Sequence, residues 1–94
     1  MSEMSTFEIR HRFLRTFNGK RNMFTTDVID YGQSGSLIYE LSNNHYFDLY
    51  GVTVLTMDGK HLKDMCRSFP SAATARAYID SDEFKAGEVL EALQ

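Results

Sequence analysis

Two dipeptides, Asn18-Gly19 and Asp58-Gly59, constrain the fold of this chain more than any other feature of its sequence. Asparagine and aspartate tolerate positive φ and glycine adopts it freely, so either pair is typical of a type I′ hairpin turn. Residues of high β-propensity flank both pairs. We therefore predict two hairpins, with strands at 6–17 and 22–30 around the first turn and at 46–57 and 60–67 around the second.

The strand predicted at 6–17 has the clearest alternation. One parity holds Phe7, Ile9, His11 and Phe13, and charged residues occupy the other. This period of two indicates a half-buried strand, with a β-bulge at 13–15 where the parity changes. A shift of 40 residues aligns the two hairpins. Duplication of a hairpin and convergence on one turn and strand pattern both explain that alignment.

Glycine and serine are frequent at 31–36, where we predict a loop. A strand at 37–41 and a turn at 42–45 follow. Gly51 lies inside a run of aromatic and β-branched residues, a position that predicts a bulge or a bend.

The pattern changes at Pro70, because proline cannot donate a hydrogen bond to a sheet. Ser71 is a favourable N-cap, so we predict a helix at 72–79. The acidic segment 80–83 ends this helix and begins a second one, since carboxylates are stabilised at a helix N-terminus. Phe84 lies off the apolar stripe of the second helix, which consists of Ala86, Val89, Leu90 and Leu93.

These elements predict an α+β fold, an antiparallel sheet of four to five strands built from two hairpins and covered on one face by two C-terminal helices. The 94 residues, 43% of them hydrophobic, suffice for a single domain over 1–94. No apolar run approaches the roughly 18 residues that cross a bilayer, and no secretory signal is visible. Cys66 is the single cysteine, which favours a reducing, cytoplasmic location.

The residues that carry catalytic or metal chemistry form no local motif. His11, His45 and His61 lie far apart and lack the spacing of a metal site, so only long-range contacts with Cys66 would assemble one. The chain contains no nucleophile elbow, P-loop or dinucleotide-binding motif. We expect no enzymatic activity, no cofactor and no metal.

Charge is unevenly distributed along the chain. Residues 1–23 carry five basic and two acidic side chains, a net charge of +3, whereas residues 24–94 carry a net charge of −6. The basic residues of the first predicted hairpin would form a patch able to contact nucleic acid phosphates: Arg10, Arg12, Lys20 and Arg21. Nucleic-acid binding through residues 10–21 is the alternative function.

The overall charge of −3 favours a protein partner instead, because dedicated DNA-binding domains normally carry a positive excess. In size and charge the chain resembles the small inhibitors that phages and mobile elements direct against host defence complexes, including anti-CRISPR and anti-restriction proteins. We therefore predict a non-enzymatic protein-binding module. Tyr46 and Tyr50 are the predicted aromatic contacts, beside the basic residues named above. Exposed sheet edges would also allow a homodimer.

Overall fold

A four-stranded antiparallel sheet forms the middle layer of the computed structural model, which describes residues 3–18 and 26–94. The strands follow one another across the sheet in chain order, β1-β2-β3-β4. The elements are α1 (Thr6–Thr16), β1 (Thr26–Ser34), β2 (Leu37–Asn44), β3 (Leu49–Thr56), a 3₁₀ helix (Lys63–Met65), β4 (Arg67–Phe69), α2 (Ala72–Ile79) and α3 (Asp82–Ala92). The predicted α+β class is confirmed, with a four-stranded sheet and two C-terminal helices.

The strand predicted at 6–17 is wrong, because this segment forms α1. Ser5 accepts a hydrogen bond from the Glu8 amide at 3.1 Å, and the Glu8 carboxylate accepts one from the Ser5 amide at 3.3 Å. This capping box begins the helix. Ile9 and Phe13, one helical turn apart, are buried. The bulge at 13–15 and the duplicated hairpin therefore do not exist, and the turn predicted at Gly19 lies outside the described residues.

The loop predicted at 31–36 is mostly strand, since β1 continues to Ser34 and only Gly35 and Ser36 form the turn. The Glu88 carboxylate of α3 fixes this turn by accepting hydrogen bonds from the Ser36 amide at 2.6 Å and from the Ser36 hydroxyl at 3.3 Å. The polar sequence belongs to an edge strand, where one backbone edge does not pair within the sheet. The return strand predicted at 22–30 is confirmed from Thr26, and residues 22–25 lie outside the described part.

The turn between β2 and β3 lies at 45–48, three residues later than predicted. Ser42, Asn43 and Asn44 extend β2 and pair in unbroken register with Gly51, Tyr50 and Leu49. Gly51 therefore forms no bulge in this strand pair. The sheet irregularity occurs in β1 instead, where Ile29 is the extra residue between Val28 and Asp30.

The Asp58-Gly59 turn is present, although its type differs from the prediction. Gly59 has a φ of +99°, whereas Asp58 does not share the positive φ that a type I′ turn requires. The Gly59 amide donates to the Thr56 carbonyl at 3.0 Å, and the Thr56 amide donates to the Lys60 carbonyl at 2.9 Å. The strand predicted at 60–67 is reduced to a bridge at His61, the 3₁₀ helix and the start of β4.

Both predicted C-terminal helices are confirmed, with Ser71 and Ser81 as their N-caps. The predicted stripe of α3 is not its buried face. Phe84 is fully buried, whereas Leu90 is 62% exposed and Val89 and Leu93 are also exposed. The reason is that α3 packs on the domain through its first turn, where the Phe84 ring contacts Tyr39 and Tyr78 edge to face.

The sheet separates two hydrophobic cores, one on each face. The larger core joins β2 and β3 to α2 and α3, and its buried residues are Leu37, Leu41, Val52, Val54, Leu62, Met65, Ala75, Tyr78, Ile79 and Phe84. The smaller core lies under α1, and its buried members among the described residues are Ile9, Phe13, Ile38 and Leu55. Glu40, also fully buried, lies on the same side of β2 as Ile38. The fold is thus three layers, with a helix covering the sheet face opposite α2 and α3.

We expect Gly59→Val to lower the free energy of unfolding by roughly 1–2 kcal/mol, because a β-branched residue is strained at positive φ. A side chain at this position would also approach the Thr16 hydroxyl to 3.2 Å. Urea denaturation measures the change. Gly51→Ala is the control, since its new methyl group would meet only the Ser42 hydroxyl, at 3.6 Å. Equal midpoints for the two variants would contradict the role assigned to Gly59.

Candidate functional site

The turn between β2 and β3 presents two aromatic side chains to solvent. Tyr46 is 76% exposed and Phe47 is 67% exposed, and their rings lie edge to face with centroids 4.9 Å apart. The Asn44 side-chain oxygen accepts hydrogen bonds from the backbone amides of Tyr46 at 3.0 Å and Phe47 at 3.2 Å. Asp48 closes the turn with a φ of +54°. We call residues 45–48 the aromatic turn, a surface whose backbone is held in place while its rings remain uncovered.

Of the two exposed rings, the sequence prediction named Tyr46 as a partner contact and did not name Phe47. Tyr50, the other predicted aromatic contact, is half-buried and packs against the larger core opposite Phe69. Alternation along β3 was visible in the sequence. The position of the turn could not be predicted from that alternation, because it depends on the register that pairs Asn44 with Leu49.

A groove next to the aromatic turn runs between α1 and the edge strand β1. Its volume is about 430 Å³, and the apolar side chains that line it include Leu14 of α1 and Val28 and Ile29 of β1. All three side chains are partly exposed. Arg10 lies on the helical wall of this edge groove. The groove and the aromatic turn are neighbours, because the His45 ring contacts the Asp27 carboxylate at 2.6 Å.

Three charged side chains line the edge groove, those of Arg10, Asp27 and Asp30. Asp27 contacts His45, and the Asp30 carboxylate accepts from the Arg76 guanidinium at 3.2 Å. Within residues 3–18 and 26–94, the Arg10 guanidinium has no ion pair. Arg10, Asp27 and Asp30 all line the groove, so its apolar surface lies beside charges of both signs.

The predicted basic patch is not assembled by the described residues. Arg10 and Arg12 are two positions apart on a helix, so they project about 200° apart around its axis rather than together. Arg12 lies beside the Asp58-Gly59 turn. There the Thr56 hydroxyl hydrogen bond lowers the pKa of Asp58, and the Arg12 charge lowers it further. Lys20 and Arg21 lie outside the described residues.

His61 and Cys66 are brought together, as the sequence allowed, whereas His45 lies elsewhere. The His61 Nε2 atom is 3.3 Å from Cys66 Sγ, and the thiol donates to the Leu62 carbonyl at 3.4 Å. Burial raises the pKa of the Cys66 thiol, and burial with the nearby Lys63 charge lowers the pKa of His61. The pair is therefore a neutral thiol beside a neutral imidazole at pH 7, whereas a cysteine nucleophile requires a thiolate.

A second concave region, which we call the α3 cleft, lies between α3 and the segment 60–67. Its volume is about 630 Å³, with Leu62, Met65 and Leu90 among its apolar residues. Two ion pairs join its walls, Lys60 to Glu91 at 3.1 Å and Arg67 to Glu83 at 3.0 Å. These two ion pairs neutralise four of the charges that line the α3 cleft, and Lys63 and Asp64 line it as well.

Two structural observations concern metal binding and membrane insertion. Among residues 3–18 and 26–94, no three histidine, cysteine or acidic side chains cluster closely enough to hold a metal ion. None of the described helices combines the length and apolar character that a membrane crossing needs.

Comparison with known proteins gives no family assignment, since no family model, no curated protein and no solved structure matches this chain. The functional conclusion therefore rests on the geometry and chemistry of its own surface.

Proposed function

We propose that this chain is a non-enzymatic protein-binding module that contacts its partner through the aromatic turn. The observation that carries the proposal is the exposure of two adjacent rings, 76% for Tyr46 and 67% for Phe47, on a backbone fixed by Asn44. Aromatic residues supply a large contact area, and tyrosine is enriched among the residues that dominate binding energy. Because the turn is already ordered, little conformational entropy is lost on binding.

The exposed residues next to the aromatic turn extend this surface. Leu14, Val28 and Ile29 line the edge groove, which adjoins the turn through the Asp27–His45 contact. An apolar centre with polar residues at its rim is the usual arrangement of a specific protein interface. The proposal includes the inhibitor class expected from size and charge, in which the module covers a working surface of a host defence complex in the cytoplasm.

Affinity capture with variants tests the proposal. We expect the immobilised chain to retain a bacterial protein from nuclease-treated lysate and Tyr46→Ala/Phe47→Ala to reduce retention at least tenfold, since two buried anchors contribute more than about 1.4 kcal/mol. Phe7→Ala is the matched control, because Phe7 is an equally exposed ring, at 72%, on α1. Equal retention by the wild type and the double variant would contradict the aromatic turn as the contact.

The same experiment tests the nucleic-acid alternative. If the partner is nucleic acid, nuclease treatment removes the captured material, and the double variant behaves as the wild type does. Purified duplex DNA should then bind with a log-log salt slope near −0.9 for each phosphate contact, and alanine at positions 10, 12, 20 and 21 should flatten that slope. That result would replace the protein-binding proposal.

A further inference from the structure

We infer that the aromatic turn binds an arginine side chain on a basic surface of the partner, with the guanidinium stacked on an aromatic ring and hydrogen-bonded to the Asp48 carboxylate. This inference rests on the proposed function and identifies the chemistry that the turn recognises. Two observations carry it together, the exposed pair of rings and the acidic character of the sheet end on which they lie.

The charged groups around the aromatic turn are acidic. Asp48 belongs to the turn itself, and the Asp27 carboxylate adjoins it through the contact with His45 at 2.6 Å. The strand residues that pair beside the turn, together with the turn, are 26–27, 43–50 and 68–69, and these ranges contain no lysine or arginine. Their net charge is −2 with a neutral His45 and −1 with a protonated one, so the surface attracts a cation in either state.

The cation of the neighbouring edge groove does not cancel this charge at Asp48. Arg10 lies on the helical wall of that groove, beside β1. The strand β2 lies between β1 and β3, and Asp48 adjoins the first residue of β3. Asp48 is exposed, and among the described residues no ion pair involves it.

The two rings add a second attraction for a cation. The face of an aromatic ring carries negative partial charge and its edge carries positive partial charge. The Tyr46 and Phe47 rings are nearly perpendicular, at 81°, so their mutual contact covers a face of one ring at most. With 76% and 67% of these residues exposed, a partner cation can lie over an open face.

Arginine matches this pair of features better than lysine does. Its planar guanidinium stacks on an aromatic face and donates two parallel hydrogen bonds to a carboxylate, and it is more weakly hydrated than an ammonium group. The phosphates of a nucleic acid would instead meet repulsion from Asp27 and Asp48. The combination of rings and carboxylates therefore favours a protein surface that presents arginine.

The backbone of the turn holds the rings and the carboxylate in one arrangement. The hydrogen bonds to the Asn44 side chain fix Tyr46 and Phe47, and the Asn43 side-chain amide donates to the Leu49 carbonyl at 3.4 Å on the other side of Asp48. Asp48 has a φ of +54°, a conformation that asparagine tolerates as aspartate does. Asp48→Asn thus removes the charge and retains the turn.

Selection from a random peptide library displayed on phage tests the inference, with the full chain as the immobilised target. We expect arginine to be enriched in the selected peptides, and Asp48→Asn to reduce that enrichment. Asp64→Asn is the matched control, because it removes the same charge from an exposed residue that lines the α3 cleft. Its selected peptides should match those of the wild type.

Binding of one selected synthetic peptide, measured by fluorescence anisotropy, gives the magnitude. Replacing its arginine by citrulline, a neutral side chain of nearly the same shape, should weaken binding about tenfold, and replacement by lysine about threefold. Asp48→Asn should weaken the arginine peptide about threefold and leave the citrulline peptide unchanged. Circular dichroism checks the fold of the variant, and the peptide replacements test the inference on the wild-type chain alone.

The outcomes separate this inference from the proposed function. The inference is wrong if no peptide is selected, if citrulline or lysine binds as well as arginine, or if Tyr46→Ala/Phe47→Ala binds the arginine peptide as the wild type does. Self-association of the wild type that Asp48→Asn abolishes would assign the arginine to a second copy and also overturn it. Loss of lysate-protein capture in the double variant would still support the proposed function in each case.

Discussion

Phe84→Ala should lower the free energy of unfolding by about 3 to 5 kcal/mol, the range observed when a buried phenylalanine is truncated. Phe84 is completely buried, and its ring contacts Tyr78 at a centroid distance of 5.5 Å and Tyr39 at 6.5 Å. Removing the ring leaves a cavity where α3 joins the larger core, and the surrounding aromatic rings cannot fill it without leaving their own contacts. Chemical denaturation with an unchanged m-value measures the loss.

Leu90→Ala is the control for this prediction. Leu90 belongs to the stripe that sequence periodicity predicts to be buried, and in that case its truncation would cost roughly 2 to 4 kcal/mol. In the structure it is 62% exposed, so we expect a loss below about 1 kcal/mol. A larger loss for Leu90→Ala than for Phe84→Ala would show that α3 packs through its periodic stripe.

Phe13→Ala should cost about 3 to 5 kcal/mol on the other side of the sheet. Its buried ring contacts Tyr31, with centroids 5.5 Å apart, and packs with Ile38 and Leu55 in the smaller core. Four residues of the described chain are buried in that core, and the structure packs only partly buried side chains around them, so the cavity is not readily closed. Thermal and urea denaturation should both show the loss.

Phe7→Ala completes this test, because a strand and a helix at 6–17 predict different losses of stability for this variant. A strand would place Phe7 and Phe13 on one face, so both truncations would be costly. In α1 the Phe7 ring is exposed and stacks on His11, with centroids 6.4 Å apart, so its removal should cost below about 1 kcal/mol. Similar large losses in both variants would contradict the helix.

The comparison of 6–17 with 72–79 shows what local sequence can decide. Pro70 and Ser71 exclude a strand and begin α2, so that helix is predictable with its bounds. In α1 the same residues satisfy two periods, since Ile9 and Phe13 are two steps apart on a strand face and one turn apart on a helix. The capping box of Ser5 and Glu8 was the local signal that favoured the helix.

The candidate site was harder to predict from the sequence, because it depends on strand register and on tertiary packing. An aromatic-rich segment indicates that some rings pack in a sheet, but strand register decides that Tyr50 turns into the core and Phe47 into solvent. The edge groove depends on the position of α1 beside β1, a tertiary arrangement that no spacing along the chain records. Arg10 and Arg12 likewise separate only because their segment is helical.

The packing of α1 on the sheet face opposite α2 and α3 also affects the order in which native contacts can form during synthesis. Ile9 and Phe13 are synthesised early, but their partners Ile38 and Leu55 belong to β2 and β3 and emerge only after β1 is complete. Until then Ile9 and Phe13 lack the buried partners that β2 and β3 supply, and closure of this core requires contacts between residues distant in the chain. The smaller core can therefore close only after β3 has been synthesised, although α1 precedes the whole sheet in the chain.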